Sequence, residues 1–163
     1  MRPRRLAAGS LAVLFTLLAA CTTLPLPPAS IRMIRQAQYL VPPDGKANIY
    51  VVRRSAHPAD QALWAVDLDF RGFGTLGGES YLYGWLAPGE HLLALLQDRW
   101  VHERVTFRAA AGSSYFFVVS AGLLRLGIER VDERTGRELI RRFALSGDNR
   151  FESEPMPPPR AER

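Results

Sequence analysis

Between Lys46 and Asp132 apolar and polar positions alternate with a period of two, broken by glycine and proline turns. That is the signature of half-buried strands, not of helices. Residues 48–53 (NIYVVR) predict a strand after the Pro42-Pro43-Asp44-Gly45 turn. In residues 63–70 (LWAVDLDF), Trp64, Val66, Leu68 and Phe70 share one face, opposite Ala65, Asp67 and Asp69. Residues 71–78 hold four glycines and predict a tight connection. Residues 80–86 (SYLYGWL) form the next strand, and Pro88-Gly89 suits the centre of a type II turn from which residues 91–97 return antiparallel. Residues 101–109 alternate again, residues 115–119 (YFFVV) are apolar on both faces, and residues 124–131 complete seven strands.

Seven short strands with no helix-length segment between them predict an all-β domain. The expected form is a small antiparallel β-sandwich of immunoglobulin or prealbumin type. Helices are expected only near the ends. Ser30 is a candidate N-cap for a short helix over residues 30–37, with Ile31, Ile34 and Ala37 toward one side. Residues 138–143 (ELIRRF), after a Thr135-Gly136 turn, fit either a short helix or an eighth strand.

The two termini change the picture. Arg2, Arg4 and Arg5 precede an unbroken apolar run over residues 11–20, too short for a stable membrane span but of signal-sequence length. The run closes on Leu18-Ala19-Ala20-Cys21, which looks like a lipobox, and Cys21 is the only cysteine of the chain. The expected organisation is a lipoprotein signal peptide over 1–20 and a lipidated Cys21 with a proline-rich linker and lead-in over 21–43. A β-sandwich over 44–146 and a disordered proline-rich tail over 147–163 complete it. About 115 residues lie between the two polar ends, enough for one domain with a hydrophobic core. With one thiol committed to the lipid, neither a disulfide nor a cysteine-ligated metal is expected in the mature protein.

The net charge of +5 includes three signal-peptide arginines, and the remainder carries 18 basic against 16 acidic groups. No dense basic stripe or nucleic-acid motif accompanies that balance, so no nucleic-acid partner is expected.

The run 45–53 (GKANIYVVR) resembles the opening strand of the DUF2846 family of bacterial lipoproteins. Phe73-Gly74-Thr75-Leu76, then Gly84-Trp85-Leu86-Ala87-Pro88-Gly89-Glu90-His91, is similar to that family's tight loop and PGxH turn. Residues 109–118 (AAAGSSYFFV) are similar to a further strand, so the resemblance spans about residues 44–132. It implies an all-β lipoprotein domain and brings no catalytic residues with it. The sequence departs from the family at Asp69-Phe70-Arg71-Gly72, where a plain Asp-Gly or Asn-Gly hairpin is usual.

Candidate chemistry is sparse. Ser55, His57 and Asp60 offer nucleophile, base and orienter, yet all within one short polar stretch, whereas triads draw their members from separate elements. His91 and His102 with Asp67 or Asp69 lack close metal-ligand spacing, so no metal or other cofactor is expected. Asp67 and Asp69, two positions apart, suit a solvent face better than a cation site. The glycines of 72–78 lack a phosphate-loop ending and precede a strand.

Tyr81, Tyr83 and Trp85 alternate on one strand opposite Leu82 and Leu86. Either the aromatics pack inside or beneath terminal elements, or they line an interaction surface with His91 for a protein or a glycan. The resulting expectation is a non-catalytic lipoprotein of the outer membrane, facing the periplasm and held by its N-terminal lipid. Its role would be to bind or assemble with another envelope protein, or alternatively to bind glycan or peptidoglycan.

Cys21→Ser is expected to block lipidation, leaving an unprocessed or soluble periplasmic form. Density-gradient fractionation should place the acylated native protein with outer membranes, because Thr22 rather than aspartate comes after the cysteine. Unchanged acylation of the variant, or native protein solely in inner membranes, would contradict the assignment.

Overall fold

A computed structural model describes residues 26–54, 62–97, 99–121 and 126–150. Cys21, Ser55, His57 and Asp60 lie outside these residues. The described chain is mainly β, with nine strands in two sheets and two short helices. They run α1 (Ile31–Tyr39), β1 (Ala47–Arg53), β2 (Trp64–Leu68), β3 (Arg71–Leu76), β4 (Ser80–Leu86) and β5 (Gly89–Gln97). Next come β6 (Trp100–Ala109), β7 (Ser114–Ala121), β8 (Leu126–Val131), α2 (Glu133–Arg142) and β9 (Ala144–Leu145).

One sheet has the order β8-β7-β1-β4-β9 and the other β3-β2-β5-β6. Their facing sides enclose a core that includes Ile49, Val51, Trp64, Phe73, Leu82, Leu93, Leu95 and Phe117, all nearly inaccessible to solvent. Arg53 is buried at one margin of this core, its guanidinium 3.7 Å from the Trp64 ring centroid and donating to the carbonyls of Leu76 and Ala62.

The larger sheet is mixed rather than antiparallel: β1 pairs in parallel with β7, and β4 with β9. A parallel neighbour requires a long crossover, and here the whole second sheet lies between β1 and β7 in sequence. Period-two alternation carries no information about strand direction, so it could not foretell this. Two strands exceed the expected seven. The glycine-rich connection after Leu68 is itself β3, because Asp69 and Phe70, both at positive φ (52° and 63°), already make the turn. Two successive left-handed residues match a hairpin turn of the I′ kind. Phe70, expected on the inner face, consequently sits at the turn and is 82 % exposed.

Pro88-Gly89 does not close a hairpin. It is a corner that carries the chain from β4 in one sheet to β5 in the other.

The two sheets differ on their outer sides. Arg104, Thr106 and Arg108 of β6 face solvent, whereas the outer side of β1, β4 and β7 presents Tyr50, Val52, Tyr81, Tyr83, Trp85, Phe116 and Val118, all buried. Two capped helices cover it. Ser30 Oγ accepts from the Met33 amide at 3.3 Å, and Leu40 at φ 59° ends α1, which buries Met33 and Ala37. Ile31, expected on the same side as Ile34 and Ala37, is 71 % exposed, whereas Ala37 is buried. Asp132 caps α2 by accepting from the Thr135 amide at 2.9 Å, and those Thr135 bonds hold its carboxyl below the usual range. Glu133 in the first turn and Arg141 and Arg142 in the last oppose the helix dipole favourably. Residues 138–142 thus belong to a helix whose first turn holds the expected Thr135-Gly136 turn, and Phe143 is its extended C-cap.

The packed body also exceeds 44–146. Pro28 bridges to Ser146, and Asn149, expected in the tail, bridges to Gly74 and is 5 % exposed. Residues 146–149 connect the margins of both sheets: the Ser146 amide donates to Tyr81 O at 2.8 Å, Ser146 Oγ to Thr75 O at 2.6 Å, and the Thr75 amide to Asp148 O at 3.1 Å.

At Gly136 α2 lies tight against the sheet, since a Cβ there would lie 2.2 Å from Phe116 Cγ. Gly136→Ala should therefore lower stability by about 1–3 kcal/mol through overpacking. Helix propensity alone would raise it by about 1 kcal/mol. Urea unfolding decides the sign; a higher midpoint for the variant would show that the contact is not tight.

Candidate binding groove

The aromatic row of β4 is not an open surface. Tyr81, Tyr83 and Trp85 are only 1, 3 and 7 % exposed, because α1 and α2 lie over them while Leu82 and Leu86 enter the sandwich core. Both faces of β4 are apolar, so the sequence could not tell which was inner, and neither is free.

Tyr50 of β1 organises the row. Its ring stacks on Phe116 at 4.7 Å and tilts against Tyr83 at 5.0 Å, and its hydroxyl donates to Ala37 O of α1 at 2.8 Å. Burial pushes the hydroxyls of Tyr81 and Tyr83 up to about 12. Tyr50 is raised further, by burial first and then by its neighbouring tyrosines.

A directional hydrogen-bond relay connects this layer to the segment after α1. Tyr83 OH donates to Asn48 Oδ1 at 3.3 Å, Asn48 Nδ2 to Ser114 Oγ at 3.4 Å, and Ser114 OH to Leu40 O at 3.3 Å. Residues 40–43 are thereby held as a strap across the end of the sheet. Sequence reasoning passed over Asn48; its signal was a lone amide among strand apolars, and it is fully buried.

The strap separates two depressions. An apolar groove of about 320 Å³ is floored by Tyr83 and Trp85 and walled by Gln36, Tyr39, Val41, Pro42 and Pro43. Tyr39 and Val41 form its rim, 75 and 74 % exposed. On the other side of the strap a polar cleft of about 780 Å³ runs along Ser113, Ser114 and the start of α2. Its charges balance: Arg137 pairs with Glu133, Asp132 is occupied as a cap, and Arg130 lies 4.8 Å from the Tyr115 ring.

His91 belongs to neither depression. It lies on β5, its Nδ1 2.7 Å from Asp69 Oδ2 and its Nε2 2.8 Å from Ala87 O, while Asp69 Oδ1 accepts from the Leu92 amide at 2.9 Å. The histidine fastens the β2–β3 turn to the Pro88 corner, so the structure does not join it to the aromatic row. Asp69 is engaged there, and Asp67 sits half-buried on β2. Among the described residues no three His, Cys, Asp or Glu side chains converge as metal ligands.

Among the described residues the groove offers aromatic faces, aliphatic walls and one amide. Such a lining suits capture of an apolar or prolyl surface. No model of a known protein family matches the chain, and no curated protein matches it.

The buried phenols predict an alkaline limit to stability. Unfolded tyrosine loses its proton near pH 10, before Tyr81 and Tyr83 at about 12, so the native state holds more protons between these values. Stability should fall as pH rises from about 10 to about 12. Urea midpoints that stay flat across this window would show that the phenols are not shielded.

Proposed function

We propose that this chain is a lipid-anchored, periplasm-facing lipoprotein of the outer membrane that acts without catalysis, by holding an envelope protein in the groove above Tyr83 and Trp85. The groove's composition is the observation that carries the reading: a floor of Tyr83 and Trp85 under aliphatic walls, with Tyr39 and Val41 as an exposed rim. A glycan reading has less support, because among the described residues Gln36 is the one side-chain amide on the otherwise apolar walls. Resemblance to DUF2846 lipoproteins, carried by the GKANIYVVR, FGTL and PGEH stretches, belongs to the same proposal.

The tether supports it as well. Pro28 is already paired with Ser146, seven residues beyond Cys21, which limits the separation between lipid and sandwich to about 25 Å. Strand order favours the prealbumin side of the expected fold. In immunoglobulin domains the first strand pairs with the second; here β1 pairs with β4 and β7.

A photoreactive phenylalanine analogue placed at Tyr39 in intact envelopes should yield a discrete protein adduct, whereas the same group at Thr106, on the open side of the other sheet, should not. Equal labelling from both positions, or none from position 39, would contradict the proposal.

A further inference from the structure

The described chain ends just after Asn149, which bonds to Tyr83, a residue of the groove floor. After β9 the backbone runs along the edge of β4 in the same direction. The Ser146 amide donates to Tyr81 O at 2.8 Å, and Asn149 Nδ2 donates to Tyr83 O at 2.7 Å and approaches Met33 Sδ at 3.5 Å. The next two strand positions lead to Trp85, about 7 Å farther on. Asn149 Oδ1 is buried and accepts no hydrogen bond among the described residues, which leaves one acceptor beside Tyr83 unused.

The sequence continues with Phe151-Glu152-Ser153-Glu154 and then Pro155-Met156-Pro157-Pro158-Pro159. From Arg150 to Pro155 the chain can span about 17 Å, ample to reach the groove. Proline-rich segments favour the extended polyproline conformation, which aromatic-lined grooves bind at low entropic cost because little order remains to be imposed. Here the floor is Tyr83 and Trp85 and the rim Tyr39. Charge agrees in sign: α1 carries Arg32 and Arg35 and no acidic residue, while Glu152 and Glu154 precede the prolines.

We propose that the groove is an intramolecular polyproline site, occupied by Pro155–Pro159 of the chain's own tail until a partner's segment of the same chemistry displaces it. This deepens the groove reading above and rests on it.

The test uses the full mature chain made soluble by Cys21→Ser, with a nitroxide attached at Ala161→Cys. The tail bound in the groove should broaden the Trp85 indole resonance at least several-fold more than that of Trp100, which is 76 % exposed on β6. Replacing Pro157, Pro158 and Pro159 by serine should remove that difference without altering the melt. Tyr39→Ala, at an exposed rim position, should weaken it. Equal broadening of Trp85 and Trp100, or a difference that persists after the proline replacements, would overturn the proposal. Adducts at position 39 in intact envelopes would then still uphold the groove as a partner site. Selective broadening of Trp85 without any such adduct would confine the groove to the chain's own tail.

Discussion

The hydroxyl of Tyr50 holds α1 by its Ala37 carbonyl, while the ring of the same residue lies at the centre of the aromatic layer that α1 covers. That double engagement arises from an unusual constraint. A five-stranded sheet with apolar residues on both faces cannot leave one face in water, so the chain must supply a third layer. Residues before β1 and after β8 do so, as α1 and α2. Burying the phenol requires an acceptor, and the last turn of α1 offers a carbonyl that the helix leaves free. Where α1 stops, at the left-handed Leu40, the strap begins and the cover ends, and there Tyr83 and Trp85 line a groove.

Closure of the opposite margin comes from the chain after α2. By bonding to Tyr81 and Tyr83 on one sheet and Thr75 on the other, residues 146–149 join β4 to β3 where neither has another long neighbour. Gly74 and Gly147 permit this, because side chains there would collide with Asp148 O and Pro27 O. The same path bonds Asn149 to Tyr83 and pairs Ser146 with Pro28.

Much of the sandwich was legible in the residues. Alternation located β1, β2 and β4 to β8, and Ser30 marked the start of α1. Other features were hidden for physical reasons. Glycines at 72 and 74 read as a loop, whereas Gly74 serves a close approach of the Asp148 backbone and Gly72 lies under the Arg150 side chain, which the local pattern cannot reveal. Asp69-Phe70 did not read as a turn because phenylalanine rarely adopts a left-handed conformation. Strand direction and the Pro88 corner depend on pairings distant in sequence. The aromatic row drew attention correctly as unusual, but its burial depended on helices too short and too polar on one side to stand out. The groove required Tyr39 and the strap, which come from a segment read as linker.

Native-state hydrogen exchange tests the dependence of α1 on the aromatic layer most directly. If α1 is an integral part of the fold, the amides of its last turn should exchange only with the global opening that releases β1 and β4, and Tyr50→Phe should accelerate them selectively. Amides of α1 that exchange freely while β1 stays protected would contradict the account, since the groove would then have no fixed wall.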